Sequence, residues 1–191
     1  MASAHDVAAY LRQRGALGAI RLQKLLYYAQ AWSIAWDDAP LFSESIKAWD
    51  MGPVVGEIWY AERNGLLTGD AQRLTHTERE TIDGVLAWYG TRSDGWLSEL
   101  SHREGPWRDV FVKGARPSPT ISLDAMRAFY GAIPRDAGKT IPLEYQRGAE
   151  LLMRLSPEEL ADLADTSTTE LTPEGLATLL SSQGDCSWPE S

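Results

Sequence analysis

Cysteine is nearly absent from this 191-residue chain, and histidine and phenylalanine are scarce: one Cys, three His and three Phe. A lone Cys186 cannot close an internal disulfide, so a reducing cytoplasm is the expected location. His5, His76 and His102 lie far apart, and neither an HExxH nor a CxxC spacing occurs. No metal site is therefore expected. The phosphate-cradling loops GxxxxGK[ST] and GxGxxG are also missing, and no cofactor is expected. No apolar run approaches the ~20 residues that a bilayer span requires. Met1-Ala-Ser-Ala-His5-Asp6 has neither the basic nor the apolar stretch of a secretory signal. Positive charge is in deficit, with 18 Lys+Arg against 27 Asp+Glu, a net charge of -9 and a pI near 4.8. That balance excludes nucleic acid and anionic membrane as expected partners, because both demand a cationic surface.

Tryptophan is what the chain has in excess, with eight residues against three Phe. Hydrophobic residues make up 43%, too many for a disordered chain. Both charge and aromatics divide near Gly131. Residues 1–131 hold 14 basic and 16 acidic side chains, whereas residues 132–191 hold 4 and 11. Only Trp188 lies beyond the division. The expected organisation is a helical domain over 1–131, an acidic helical extension over 132–183 and a disordered tail over 184–191.

Helical periodicity dominates the first part. Ser3 and Asp6 have capping-box spacing ahead of Val7, Tyr10 and Leu11, and Gly15 supplies a stop. From Ile20 to Trp36 the apolar residues leave almost no polar face, which predicts a central helix surrounded by other elements. Asp37-Asp38 oppose the helix dipole and should lie beyond its end. Ile46–Trp49 is short enough for a strand but equally suits an extended lead-in. Met51-Gly52-Pro53 reads as a turn opening a third helix, with proline at its first position, that stops at Gly65. Further helices are predicted from Thr75 or Thr77 to Gly90, from Asp94 to Arg103, from Gly105 to Val112, and after Ser122. The fold class is mainly α, with at most a short strand or hairpin.

In the extension, a helix over about 142–155 precedes a weak repeat. Ser156-Pro-Glu-Glu-Leu-Ala-Asp-Leu-Ala164 and Thr172-Pro-Glu-Gly-Leu-Ala-Thr-Leu-Leu180 each carry a hydroxyl cap, a proline at the first helical position and an early acid. Helices this short need a packing partner.

No catalytic constellation stands out, and the chain does not read as an enzyme. Ser98, Glu99, Ser101 and His102 share one helix, where an exposed polar face beside Trp96 and Leu100 accounts for them. Glu78, Glu80 and Asp83 fall in the first turns of a helix, where capping and the dipole explain them. Arg12, Arg14, Arg21 and Lys24 form the one basic cluster; it straddles a turn and reads as solvated surface rather than a recognition face. Tyr28, Trp32 and Trp36 recur every four residues and read as core. Trp49, Trp59, Trp96 and Trp107 exceed what a body of this size easily buries, so some should line a groove or contact surface. The inventory favours a protein-binding function.

Three motifs carry a resemblance: Leu22-Gln-Lys-Leu-Leu-Tyr-Tyr-Ala-Gln-Ala-Trp32, Pro40-Leu-Phe42 and Ala48-Trp-Asp-Met-Gly-Pro-Val54. With Gly105-Pro-Trp107 and Ile121-Ser122 following in order, residues 5–131 resemble the Panacea domain, the SocA-like, phage-associated antitoxin family. The resemblance implies a mainly helical fold without established catalytic residues. It also implies an antitoxin that neutralises a cognate toxin by direct binding. The SocA-like founder implies a different mode, an adaptor that delivers its toxin to a ClpXP-type protease. Lys24, Leu25, Tyr27, Tyr28, Gly52, Pro53 and Trp107 are the signature positions carried over. Apart from Leu25, which fills the core, these join Trp32, Trp36 and Trp49 from the aromatic inventory as the candidate partner-binding set.

Overall fold

Helix α2 (Ala19–Asp37) is the axis of the computed structural model, which describes residues 2–15, 17–156 and 158–160. Every residue from Leu22 to Ala35 is buried. Around it pack α1 (Ala4–Gln13), α3 (Gly56–Arg63), α4 (His76–Tyr89), α5 (Asp94–Arg103) and α7 (Leu123–Tyr130). A short α6 (Gly105–Arg108) follows α5, and α8 (Leu143–Arg154) packs on α5. Strands β1 (Ile46–Trp49), β2 (Gly52–Val55) and β3 (Thr120–Ile121) form one antiparallel sheet in the order β2-β1-β3. The architecture is mainly α, as the periodicity predicts.

The polar residues of α2 are buried for a reason the periodicity does not reveal. Each satisfies the backbone of an irregular or edge segment lying against the helix. Gln30 accepts from the Leu41 and Phe42 amides at 2.8 and 3.1 Å, and donates to the Phe42 carbonyl at 2.9 Å. The Pro40-Leu-Phe42 segment is thereby fastened to the helix. Ser33 donates to the Ala39 carbonyl. Gln23 accepts from the Val55 amide at 2.8 Å, and Lys24 donates to the Met51 and Pro53 carbonyls. Gln23 and Lys24 thus cover the outer edge of β2, whose backbone groups have no further strand to pair with.

Two local expectations are corrected. Pro53 does not open a helix: it pairs with Ala48 inside β2, and α3 begins only at Gly56. β2 is an edge strand, where a missing amide donor is tolerated, so proline fits there. Helix α2 runs through Asp37 to a left-handed cap at Asp38 rather than stopping before the two acids. Their unfavourable position is offset by Lys139 on Asp37 and Arg127 on Asp38.

Capping follows the predicted chemistry. Ser3–Asp6 and Thr75–Glu78 form complete capping boxes, and Ser93 and Ser122 cap α5 and α7. Thr75→Ala is expected to cost about 1 kcal/mol, read as a lower urea midpoint with an unchanged slope.

Beyond Gly131 the chain continues into the same core, to which Ile133, Ile141, Tyr145 and Ala149 contribute buried side chains. Arg103 secures the end of α8 by donating to the Leu152 and Leu155 carbonyls. Ser156 and Glu159 form the predicted cap of the next turn. The rest of that repeat, its second copy and the tail at 184–191 lie outside the described residues. All 18 Lys+Arg but only 19 of the 27 Asp+Glu fall within residues 1–156. The acidity therefore belongs to residues 157–191, which carry eight carboxylates and no basic side chain.

Candidate functional site

The β1–β2 turn, the first turn of α3 and the loop after α6 enclose a groove of about 620 Å³. Trp49, Trp59, Tyr60, Phe111, Val112 and residues 114–118 line it. Trp49 meets Trp59 edge-on at 5.9 Å between centroids and Tyr60 at 6.5 Å. Met51, Tyr60 and Val112 are large apolar side chains left 58%, 61% and 59% exposed, and all three line this groove. A cluster of exposed apolar residues beside a concavity marks an interaction surface more than scattered ones do.

Trp107 sits behind the wall and positions it. Its indole N–H donates to the Trp49 carbonyl at 3.1 Å, and its ring stacks between His102 and Phe111 at 4.1 and 4.2 Å. Lys24 and Gln23 lie at the groove floor, each only 1% exposed. Burial pushes the Lys24 amine down from 10.5 to about 7, because a desolvated cation is disfavoured. His102 is also pushed down, first by burial and then by the nearby Lys24 charge. Its Nε2 is buried without a hydrogen-bond partner. Gly52 lies against these groups: with φ at 98°, it leaves no room for a Cβ, which would fall on Lys24 Nζ and 2.9 Å from Ser101 Oγ.

Lys24 is thus not solvated surface, unlike the other members of its basic cluster. Arg12, Arg14 and Arg21 are partly exposed and paired with Glu62, Asp83 and Asp94. Of the candidate residues, Lys24 and Trp49 line the groove, while Gly52, Pro53 and Trp107 shape it from behind.

Tyr27, Tyr28 and Trp32 are elsewhere, buried in a polar core centred on Glu104. This carboxylate, at the α5–α6 junction, accepts from Tyr28 at 3.1 Å, Tyr130 at 2.8 Å and Tyr145. Tyr89 donates to Tyr145 at 2.9 Å and receives the Trp32 indole N–H at 3.0 Å. Tyr27 lies 3.2 Å from the Tyr130 hydroxyl. Burial pushes Glu104 up from 4.5 to about 7, against the opposing pull of the three hydroxyls. Trp36, half-buried, tilts against Trp32 at 5.1 Å. These four aromatics organise the core and do not line the groove.

Sequence reasoning passes over Glu104 entirely, as well as Tyr60, Val112 and the 114–118 loop. Glu104 had one available signal, an acid flanked by a buried helix end and Gly105-Pro-Trp107. The loop had none, since exposed apolar residues are recognised only once neighbouring elements surround them.

Among the described residues, no group of three or more His, Cys, Asp or Glu could hold a metal ion, and no helix is long and apolar enough to cross a membrane. The fold defines a mainly helical domain with an aromatic groove beside a small sheet. Residues 22–108 match the family model described as antitoxin SocA-like, Panacea domain, and this stretch of the chain is similar to that domain. No curated protein and no solved structure matches the chain. The matched segment runs from α2 to α6 and supports an antitoxin-type role. It includes Lys24, Trp49, Gly52, Pro53 and Trp107, but stops before the groove wall at 111–118.

Proposed function

We propose that this protein is a cytoplasmic antitoxin that neutralises a cognate toxin by direct protein–protein binding, without catalysis, using the aromatic groove as its contact surface. The observation that carries this reading is the coincidence of three exposed apolar side chains, Met51, Tyr60 and Val112, with a groove built partly on the family-matched segment. Aromatic and methionine side chains are those that dominate protein interfaces. The wall from Phe111 to Ser118 lies outside the matched segment and is where specificity for one toxin would be set.

Co-expression with the toxin encoded beside it provides the test. Growth should be restored by the full chain and lost with Tyr60→Asp or Val112→Asp, which place a charge in the contact without disturbing the core. Toxin half-life should stay unchanged, since a direct inhibitor, unlike a proteolytic adaptor, does not need to shorten it. Equal toxicity with and without the protein refutes the reading.

A further inference from the structure

The groove floor holds two donor groups that meet no carboxylate among the described residues. Among the described residues, the Lys24 amine meets two main-chain carbonyls and no carboxylate. Carbonyl dipoles alone leave a buried cation short of compensation. Gln23 adds a second unmet demand. Its Oε1 is committed to the Val55 amide, which fixes the orientation of the group, and its Nε2 is buried with no acceptor. Arg116 contributes an exposed positive charge to the groove lining. The single carboxylate lining the groove, Asp50, is exposed at the β1–β2 turn.

We infer that the groove binds a partner-protein segment that inserts one aspartate or glutamate side chain toward Lys24 and Gln23 and lays an adjacent apolar side chain against Trp49 and Trp59. This inference rests on the reading of the protein as a direct binder and names the chemistry of the contact. The carboxylate is matched by an amine that no carboxylate among the described residues neutralises and by an amide donor that has no acceptor, and the aromatic residues match an apolar neighbour. Exposed Met51, Tyr60 and Val112 give the groove lining a broad apolar surface, which suits a polypeptide better than a small free acid. The net charge of -9 disfavours a broadly acidic partner, so the partner presents an isolated acid.

The test uses a capped peptide, Ac-Gly-Trp-Glu-Leu-Gly-NH2, and its Gln counterpart, titrated into the 15N-labelled full chain. The reporters are the Trp49 and Trp59 indole N–H resonances. The Glu peptide should saturate both at least tenfold more tightly than the Gln peptide. Lys24→Met and Arg116→Glu should each reduce that preference at least fivefold. Arg116 is exposed, so its variant keeps the comparison decisive even where Lys24→Met fails to fold. Equal affinity for the two peptides, or shifts confined to other tryptophans, overturns the assignment. So does a preference for the Gln peptide with a free C-terminus, which would indicate a chain-terminal carboxylate. Displacement of the Glu peptide by a peptide of residues 180–191 also overturns it, in favour of the chain's own acidic end. None of these results touches toxin neutralisation in cells, so failure of the groove chemistry is distinguishable from failure of the antitoxin reading.

Discussion

Gly52→Ala is expected to lower stability by about 3–5 kcal/mol and to abolish the proposed toxin neutralisation. Three costs combine at this position. A side chain at φ 98° is strained by about 1–3 kcal/mol. The new methyl also overlaps Lys24 Nζ and approaches Ser101 Oγ to 2.9 Å and His102 Nε2 to 3.1 Å. Overpacking of this kind costs about 1–3 kcal/mol. Relief of the overlap requires Lys24 to leave the Met51 and Pro53 carbonyls, which uncovers the edge of β2. In a chain of this size each kcal/mol lowers the melting temperature by about 2–4 °C, so a fall near 10 °C is expected. Gly65→Ala is the control, because Gly65 has φ 66° but open space around it. It should show the strain alone, about 1 kcal/mol, and leave neutralisation intact. Equal effects of the two substitutions would refute the steric account of Gly52.

Local chemistry made much of this fold legible beforehand. The caps at Ser3, Thr75 and Ser122 are where short-range rules place them, because a cap depends only on residues within one turn. The central position of α2 followed from its nearly unbroken apolar circumference. What stayed hidden depends on contacts distant in sequence. Pro53 has the local signature of a helix start, and only the pairing with Ala48 reveals an edge strand. Lys24 has the local signature of solvated surface, and only the carbonyls of the β1–β2 turn, 27 and 29 residues away, explain its burial. The three hydroxyls on Glu104 come from residues 76, 26 and 41 positions away.

The candidate partner-binding set divides for the same physical reason. A family motif marks what the fold must keep, and most of that is interior. Tyr27, Tyr28 and Trp32 hold the core around Glu104, whereas Gly52, Pro53 and Trp107 hold the wall that Trp49 presents. The proposed contact surface draws instead on Tyr60, Val112 and the 114–118 loop, groove-lining residues that carry no motif.

Folding stability should pass through a shallow minimum near pH 7, because Glu104 and Lys24 are both buried and shift in opposite senses. Glu104 rises from 4.5 to about 7 in the folded protein. Between those values the native state holds a proton that the unfolded chain has released, so stability falls as pH rises. Lys24 drops from 10.5 to about 7. Between pH 7 and 10.5 the unfolded chain holds a proton that the native state has lost, so stability rises with pH. Each limb has a limiting slope of about 1.4 kcal/mol per pH unit. His102, held below its ordinary 6.5, works against the acid limb and makes it shallower. Outside this window other groups take over. Asp6 is raised by burial, but this is outweighed by hydrogen bonds from Asp70 and Ser3 that hold it below 3.8; its stabilisation disappears in stronger acid. The Glu104-linked tyrosines, raised well above 10 by burial, reverse the alkaline rise. Urea unfolding at one-unit steps from pH 5 to 9 should show the minimum. Glu104→Gln should flatten or reverse the acid limb and leave the alkaline one, while Lys24→Met should do the opposite. A wild-type maximum at pH 7, or an acid limb unchanged by Glu104→Gln, would show that the tyrosine hydroxyls keep Glu104 ionised at little cost.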